Sequence, residues 1–77
     1  MSLQIISFGS ITDITGGTSF TIPLVADTDT LLSALKEQFP ALAEKKFILA
    51  VNAVTIFGNT PLLAGDSIAI LPPFSGG

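Results

Sequence analysis

The sequence offers few side chains that could perform covalent or acid–base chemistry. It contains no histidine and no cysteine, and its charged side chains are three Lys or Arg and six Asp or Glu. The usual nucleophile and general-base pairs are therefore reduced to carboxylates, lysines and hydroxyls, and these do not cluster along the chain. Without cysteine there are no disulfides and no thiolate ligands, and we predict no metal site.

The last seven residues, LPPFSGG, instead present the α-carboxylate of Gly77 as a reactive group. Pro72-Pro73 stops the preceding strand and stiffens the exit of the chain. The four residues beyond can extend about 13 Å, which would carry the carboxylate into a pocket of another protein while Phe74 provides an aromatic anchor. Gly76 and Gly77 would pass through a channel too narrow for a Cβ atom.

The carboxylate of this tail would need help from another protein. It is ionised at pH 7 and is a poor electrophile, so it must be activated, for example as an acyl phosphate or an adenylate. We therefore expect the catalyst to be a partner. Residues 74–77 are predicted to form a flexible tail on a domain that spans residues 1–73.

Other polar residues have simpler structural interpretations. Asp27 and Asp29 lie at the predicted start of a helix, where Asp27 or Thr28 would cap it and Asp29 would complement its dipole. Gly16-Gly17 lacks the spacing of a phosphate-binding loop and is typical of a turn. Asn52 and Gly65-Asp66 are also interpreted as turn residues. No nucleotide site is predicted.

Composition limits the class of partner. The 77 residues fit one domain, and 48% hydrophobic against 12% charged residues indicates a folded chain. A domain this small cannot easily bury so much apolar surface, so we expect an exposed patch that binds a protein. The net charge of −3 argues against nucleic acid. Neither a signal peptide nor a membrane-spanning run is present, and we expect a cytoplasmic protein without membrane contact.

The apolar pattern predicts an α+β domain with the order β, β, α, β, β, β. The predicted strands are LQIISF (3–8), SFTIPLV (19–25), FILAV (47–51), VTIF (54–57) and SIAIL (67–71), and the helix is DTDTLLSALKEQFP (27–40). Residues 11–19 are predicted to form a turn or a single irregular helical turn. Pro23 indicates an edge position for the second strand, because proline cannot donate to a ladder.

One helix can cover only one face of a four- or five-stranded sheet, yet the third and last strands are apolar on both faces. In the first strand, Leu3 and Ile5 lie opposite Ile6 and Phe8. One of these pairs is therefore expected on a face that the helix leaves uncovered.

Taken together, these residues resemble the small subunit of molybdopterin synthase, a sulfur-carrier family with the ubiquitin-like β-grasp fold. The resemblance is densest over residues 49–77 and extends more loosely over the whole chain. The motifs that match in order are Ala50-Val51-Asn52, Pro61-Leu62, Gly65-Asp66 and Pro72-Pro73-x-x-Gly-Gly. The resemblance implies a mixed four- to five-stranded sheet with one main helix on one face.

The resemblance also implies a cycle of sulfur transfer. An E1-like adenylyltransferase would use ATP and Mg to adenylate the Gly77 carboxylate, and a sulfur donor would convert it to a thiocarboxylate. The tail would then enter the active site of the molybdopterin synthase large subunit, where the sulfur would pass to cyclic pyranopterin monophosphate and build the dithiolene of molybdopterin. This chain would bind no cofactor, would not be catalytic alone, and would form a heterotetramer with the large subunit.

The same resemblance places Phe8 and Leu71 near the apolar surface that meets the partner. The remaining residues that we assign to partner binding are Pro73, Phe74, Ser75 and Gly76. The chain departs from the family at two places, because many members carry Arg-Glu where this chain has Thr12-Asp13, and a bulky apolar residue near Thr55.

Three alternatives remain open at this point. The thiamine-thiazole sulfur carrier has a similar fold and also ends in Gly-Gly, but it usually lacks the Pro72-Pro73 pair, which favours the molybdopterin interpretation. A ubiquitin-like modifier would instead join Gly77 to lysines of target proteins. In the third alternative, the domain is an interaction module with an inert tail.

Overall fold

Five strands and two α-helices form the domain in the computed structural model, which describes residues 1–73. In chain order the elements are β1 (Ser2–Ser7), α1 (Ile11–Thr15), β2 (Ser19–Pro23), α2 (Thr28–Gln38), a 3₁₀ helix (Pro40–Glu44), β3 (Ile48–Val51), β4 (Val54–Ile56) and β5 (Ser67–Leu71). The predicted order of the strands and the main helix is confirmed. The stretch predicted as a turn or one helical turn contains the short helix α1.

The strands form one mixed sheet in the order β2-β1-β5-β3-β4. β1 and β5 are parallel, whereas the other neighbouring pairs are antiparallel. β5 therefore lies between β1 and β3 and not at an edge. β2 is an edge strand, as predicted from the missing N–H group of Pro23, but it ends at Pro23 and not at Val25.

α2 begins and ends at residues whose side chains suit those positions. The Asp27 carboxylate accepts a hydrogen bond from the Thr30 backbone N–H at 2.9 Å, which caps the helix, and Pro40 follows its last turn. Leu31 and Leu35 point at the sheet and are fully buried. α2 thus covers one face of the sheet, as its apolar stripe predicts.

The core lies between α2, the 3₁₀ helix and that covered face. The aliphatic side chains without any exposed surface are Leu3, Ile5, Leu31, Leu35, Leu42, Ile68 and Ile70. Burying one such side chain contributes about 1.5–3 kcal/mol to folding. The first and last strands therefore supply much of the core, which fixes the base of the C-terminal segment.

Candidate functional site

The exit of the chain from β5 is the first component of the site. β5 ends at Leu71, and Pro72 and Pro73 follow it outside the sheet. The backbone N–H of Phe8 donates to the carbonyl oxygen of Ile70 at 3.1 Å, close to the point where β1 and β5 separate. Because proline has no N–H, the pairing ends here and the chain leaves from the middle of the sheet.

The predicted reactive and partner-binding residues of the tail lie outside the described residues. They are Phe74, Ser75, Gly76 and Gly77. Their roles stay predictions. The structure places the two residues before them, with Pro72 half-buried and Pro73 exposed.

The second component is the sheet face opposite α2. Side chains alternate along β1, so Leu3 and Ile5 point into the core while Ile6 and Phe8 lie on the other side. Phe8 is 46% exposed. The structure thus identifies Ile6 and Phe8 as the uncovered pair. We call this surface the open face and define it by its apolar residues Ile6, Phe8, Ala50, Ala69 and Leu71.

The open face contains a groove of about 380 Å³. Its lining consists of Ile6, Phe8, Ala50, Ala53, Thr55, Ser67, Ala69 and Leu71. None of these side chains is ionisable, and only two carry a hydroxyl group. An uncharged apolar groove beside the chain exit suits the apolar surface of another protein. Phe8 and Leu71, which the resemblance places near the partner, are brought together in it.

The two departures from the family pattern lie in different places. Thr55 lines the groove, and its small side chain leaves more open volume than a bulky apolar residue would. Thr12 and Asp13 instead belong to α1, with Asp13 exposed. The shape of the groove therefore differs from the family pattern through Thr55.

The start of β5 is held by hydrogen bonds of Asn52 and Asp66, and the sequence pattern did not predict that these two side chains meet. Asn52 donates to the Asp66 carboxylate at 3.0 Å and accepts from the Ser67 backbone N–H at 3.0 Å. Asp66 also accepts from the Leu63 backbone N–H at 2.9 Å. The hydrogen bond from Asn52, followed by that from Leu63, lowers the pKa of Asp66. Asn52 and Asp66 are turn residues, as predicted, but they also tie the β3–β4 turn to β5.

A second cavity of about 310 Å³ lies beside the start of α2. Asn59 accepts from the Asp29 backbone N–H at 2.9 Å and donates to the Asp27 carboxylate at 3.2 Å. Hydrogen bonding to Thr30, through its side chain and then its backbone, and to Asn59 lowers the pKa of Asp27. Because side chains of the same chain already occupy these N–H groups, this end of α2 is capped and is not an open anion site. The predicted capping role of Asp27 is confirmed.

Among residues 1–73, no three His, Cys, Asp or Glu residues are arranged to hold a metal ion. Within the same range, no helix is long and apolar enough to cross a membrane.

Gly9 is a further residue of this region, and the sequence pattern assigns it no functional role. In the structure its φ is +55°, and it lies against Pro72. The two residues are near opposite ends of the chain, so no local pattern signals their contact.

The chain is similar to known proteins over nearly its whole length. Residues 5–77 match the model of the ThiS family. A chain in the complex of subunits 1 and 2 of molybdopterin-converting factor from Helicobacter pylori 26695 is 31% identical, with a TM-score of 0.74 and 100% of both chains covered. No match was found among curated proteins.

Two other solved structures are similar at lower identity. A protein from Pyrococcus furiosus assigned as molybdopterin converting factor subunit 1 is 19% identical, with a TM-score of 0.88 and coverage of 96% of this chain and 99% of that one. Small archaeal modifier protein 1 from Methanosarcina acetivorans is 21% identical, with a TM-score of 0.82 and coverage of 99% and 96%. These two likenesses show the fold, and the predicted ubiquitin-like β-grasp fold is confirmed.

Proposed function

The chain belongs to the ThiS family, and on this basis we propose that it is a sulfur carrier whose reactive group is the Gly77 carboxylate. The observation that carries the proposal is the family match itself, because it runs through the terminal Gly-Gly. The position of Pro72-Pro73 supports it, since the chain leaves the middle of the sheet next to an uncharged apolar groove. The tail and the groove would then act together on one partner.

The chemistry has two steps, both catalysed by a partner. In the first, the Gly77 carboxylate oxygen attacks the α-phosphorus of ATP, forms a glycyl adenylate and releases pyrophosphate. In the second, a sulfur donor at the oxidation level of sulfide attacks the acyl carbon. The C–S bond forms, the C–O bond to AMP breaks, AMP leaves, and a thiocarboxylate remains without a change of oxidation state. The E1-like adenylyltransferase would bind and use the ATP and Mg, and this chain would bind neither.

The acceptor that we propose is the large subunit of molybdopterin synthase. The Helicobacter pylori structure supports this choice, because it is a complex of two subunits and shares 31% identity across the full length of this chain. In our proposal the open face docks on the large subunit and the tail delivers its sulfur to cyclic pyranopterin monophosphate. Two small and two large subunits would form the assembly, as the family resemblance implies.

The experiment that tests the proposal is intact-mass analysis. The purified chain is incubated with the activating enzyme, ATP and sulfide, and we expect a mass increase that corresponds to exchange of one oxygen for sulfur at the C-terminus. Omitting ATP should prevent the exchange, because the carboxylate is then not activated. A chain that stays unmodified with every candidate activator would contradict the proposal.

Variants at the C-terminus test whether Gly77 is the reactive residue. Deleting Gly77, or adding one glycine after it, should abolish sulfur acquisition and leave the melting temperature unchanged, since the last core strand, β5, ends at Leu71. The matched control carries one extra residue before Met1, which is 93% exposed at the other end of the chain. This control should acquire sulfur normally. If the extended C-terminal variant kept full activity, Gly77 would not be the reactive residue.

The thiamine-thiazole pathway is a second candidate acceptor, because the ThiS family match alone does not select between acceptors. Both pathways would begin with the same thiocarboxylate, so mass analysis cannot separate them. Measuring the binding of the chain to each acceptor protein can separate the two pathways. We expect the molybdopterin synthase large subunit to be bound in preference, and stronger binding to the thiazole-forming enzyme would reverse the choice.

A further inference from the structure

The contact between Gly9 and Pro72 joins the two ends of the domain. The parallel register ends with the pair Ser7 and Ile70, and two residues further along the chain from each of these, Gly9 lies against Pro72. A Cβ atom on Gly9 would lie 3.1 Å from Pro72 Cγ and 3.7 Å from Pro72 Cδ. The proline ring therefore packs directly on a backbone that carries no side chain.

The backbone at Gly9 is firmly held. Its φ of +55° lies in the left-handed region, which favours glycine. The N–H of Ile11 donates to the Phe8 carbonyl and that of Thr12 to the Gly9 carbonyl, each at 3.1 Å. Ile11 is buried, so the turn is anchored in the core immediately after the contact. A side chain on Gly9 would have to displace Pro72, because the anchored turn cannot easily move away from the proline ring.

Other glycines with left-handed backbone have no comparable neighbour. Gly16 has φ +82° and Gly65 has φ +85°, and a Cβ on either would meet nothing within 4 Å. Gly9 is itself exposed, so burial does not explain its lack of a side chain. What distinguishes it is the proline ring that packs on it.

We propose that Gly9 is a positioning residue whose bare backbone fixes the direction in which Pro72 sends the tail. The inference rests on the proposed function, in which Gly77 is the reactive end. If the five residues 73–77 are extended in a partner's channel, they span about 17 Å. A small tilt at Pro72 would therefore grow to an ångström or more at Gly77. A misplacement of about 1 Å at a reacting group can cost about 10²-fold in rate.

The test compares substitutions at two glycines that both have a left-handed backbone. Gly9→Ala adds both backbone strain and the contact with Pro72, whereas Gly16→Ala adds backbone strain in open space. We expect kcat/KM for C-terminal modification by the activating enzyme to fall about tenfold or more in Gly9→Ala and to stay within about twofold in Gly16→Ala. The fall should be in kcat and not in KM, because the substitution would misplace the reacting carboxylate and would not remove a contact surface.

Two further variants separate the contact from strain or loss of folding. Asparagine tolerates the left-handed backbone but has a Cβ, so Gly9→Asn should be as impaired as Gly9→Ala. In a Pro72→Ala background the ring is absent, and adding Gly9→Ala should cost less than about twofold more. The proposal is overturned if Gly9→Asn restores activity, if Gly16→Ala is equally impaired, or if the loss persists without the ring.

An NMR measurement distinguishes this inference from the proposed function. The amide chemical shifts of residues 74–77 should change more in Gly9→Ala than in Gly16→Ala, whether or not the chain carries sulfur. If the wild-type chain acquires no sulfur but these shifts respond, the sulfur-carrier proposal fails and the positional coupling stands. If the shifts respond equally to both variants, Gly9 does not direct the tail.

Discussion

Two exposed phenylalanines, Phe8 and Phe57, carry the same side chain but lie on different surfaces of the domain. Phe8 is 46% exposed and lies on the open face. Phe57 is 94% exposed, but it follows β4 and lines the cavity beside α2. An aromatic side chain in an apolar groove is a frequent anchor of a protein interface. At the scale of single residues, Phe8 is thus the side chain that we expect to dominate docking.

The corresponding prediction concerns binding to the molybdopterin synthase large subunit. Phe8→Ala should weaken the affinity about tenfold, which equals about 1.4 kcal/mol, because it removes an apolar anchor from the groove. Phe57→Ala removes the same chemical group elsewhere and should leave the affinity unchanged. Isothermal titration calorimetry measures both, and equal losses in the two variants would remove the open face from the interface.

At the scale of elements, the β3–β4 turn and the start of β5 are joined by Asn52 and Asp66. The pKa of Asp66 is lowered from its ordinary value of 3.8 when the chain is folded. A group with a lowered folded pKa contributes stability that is present above the unfolded pKa and is lost as the pH falls through the folded pKa. The tie between the two elements should therefore weaken in acid.

We predict that the melting temperature falls as the pH is lowered below about 4, and that Asp66→Asn makes this fall shallower. The variant should also be less stable than the wild type near neutral pH, because the amide cannot replace a carboxylate that accepts two hydrogen bonds. Asp13→Asn is the control, since it removes the same charge from an exposed position on α1. Identical pH profiles for the wild type and Asp66→Asn would show that this carboxylate does not join the elements.

At the scale of the whole molecule, the two faces of the sheet differ in how far they are buried. Ile70 and Leu71 are consecutive residues of β5, yet Ile70 is fully buried in the core and Leu71 lies in the groove of the open face. One face therefore supports folding, and we propose that the other supports docking. A pair of adjacent substitutions separates the two.

Ile70→Ala should reduce the free energy of unfolding by about 2–5 kcal/mol, because it leaves a cavity in the core. Leu71→Ala should cost clearly less stability than Ile70→Ala, because Leu71 is only partly buried, but weaken partner binding at least about fivefold. Thermal melts and affinity measurements on both variants make the comparison. A large loss of stability at unchanged affinity in Leu71→Ala would place Leu71 in the core and contradict the division of faces.

Much of the local structure was predictable from the sequence. The cap at Asp27, the buried stripe of Leu31 and Leu35, and the end of β5 before Pro72 all follow from side chains within a few residues of each other. These features depend on hydrogen-bond donors, branching and apolar spacing along a short segment. The family resemblance, and with it the proposed role of Gly77, also came from the order of residues.

Strand order and the choice of the open face were decided by the tertiary structure. Alternation in β1 offered two equivalent pairs, and only the packing of α2 against Leu3 and Ile5 left Ile6 and Phe8 uncovered. Likewise, Asn52 meets Asp66 because β3 pairs with β5. Gly9 meets Pro72 because β1 lies beside β5. Such contacts join residues far apart in the chain, so the register of the sheet determines them and no short segment of sequence encodes them.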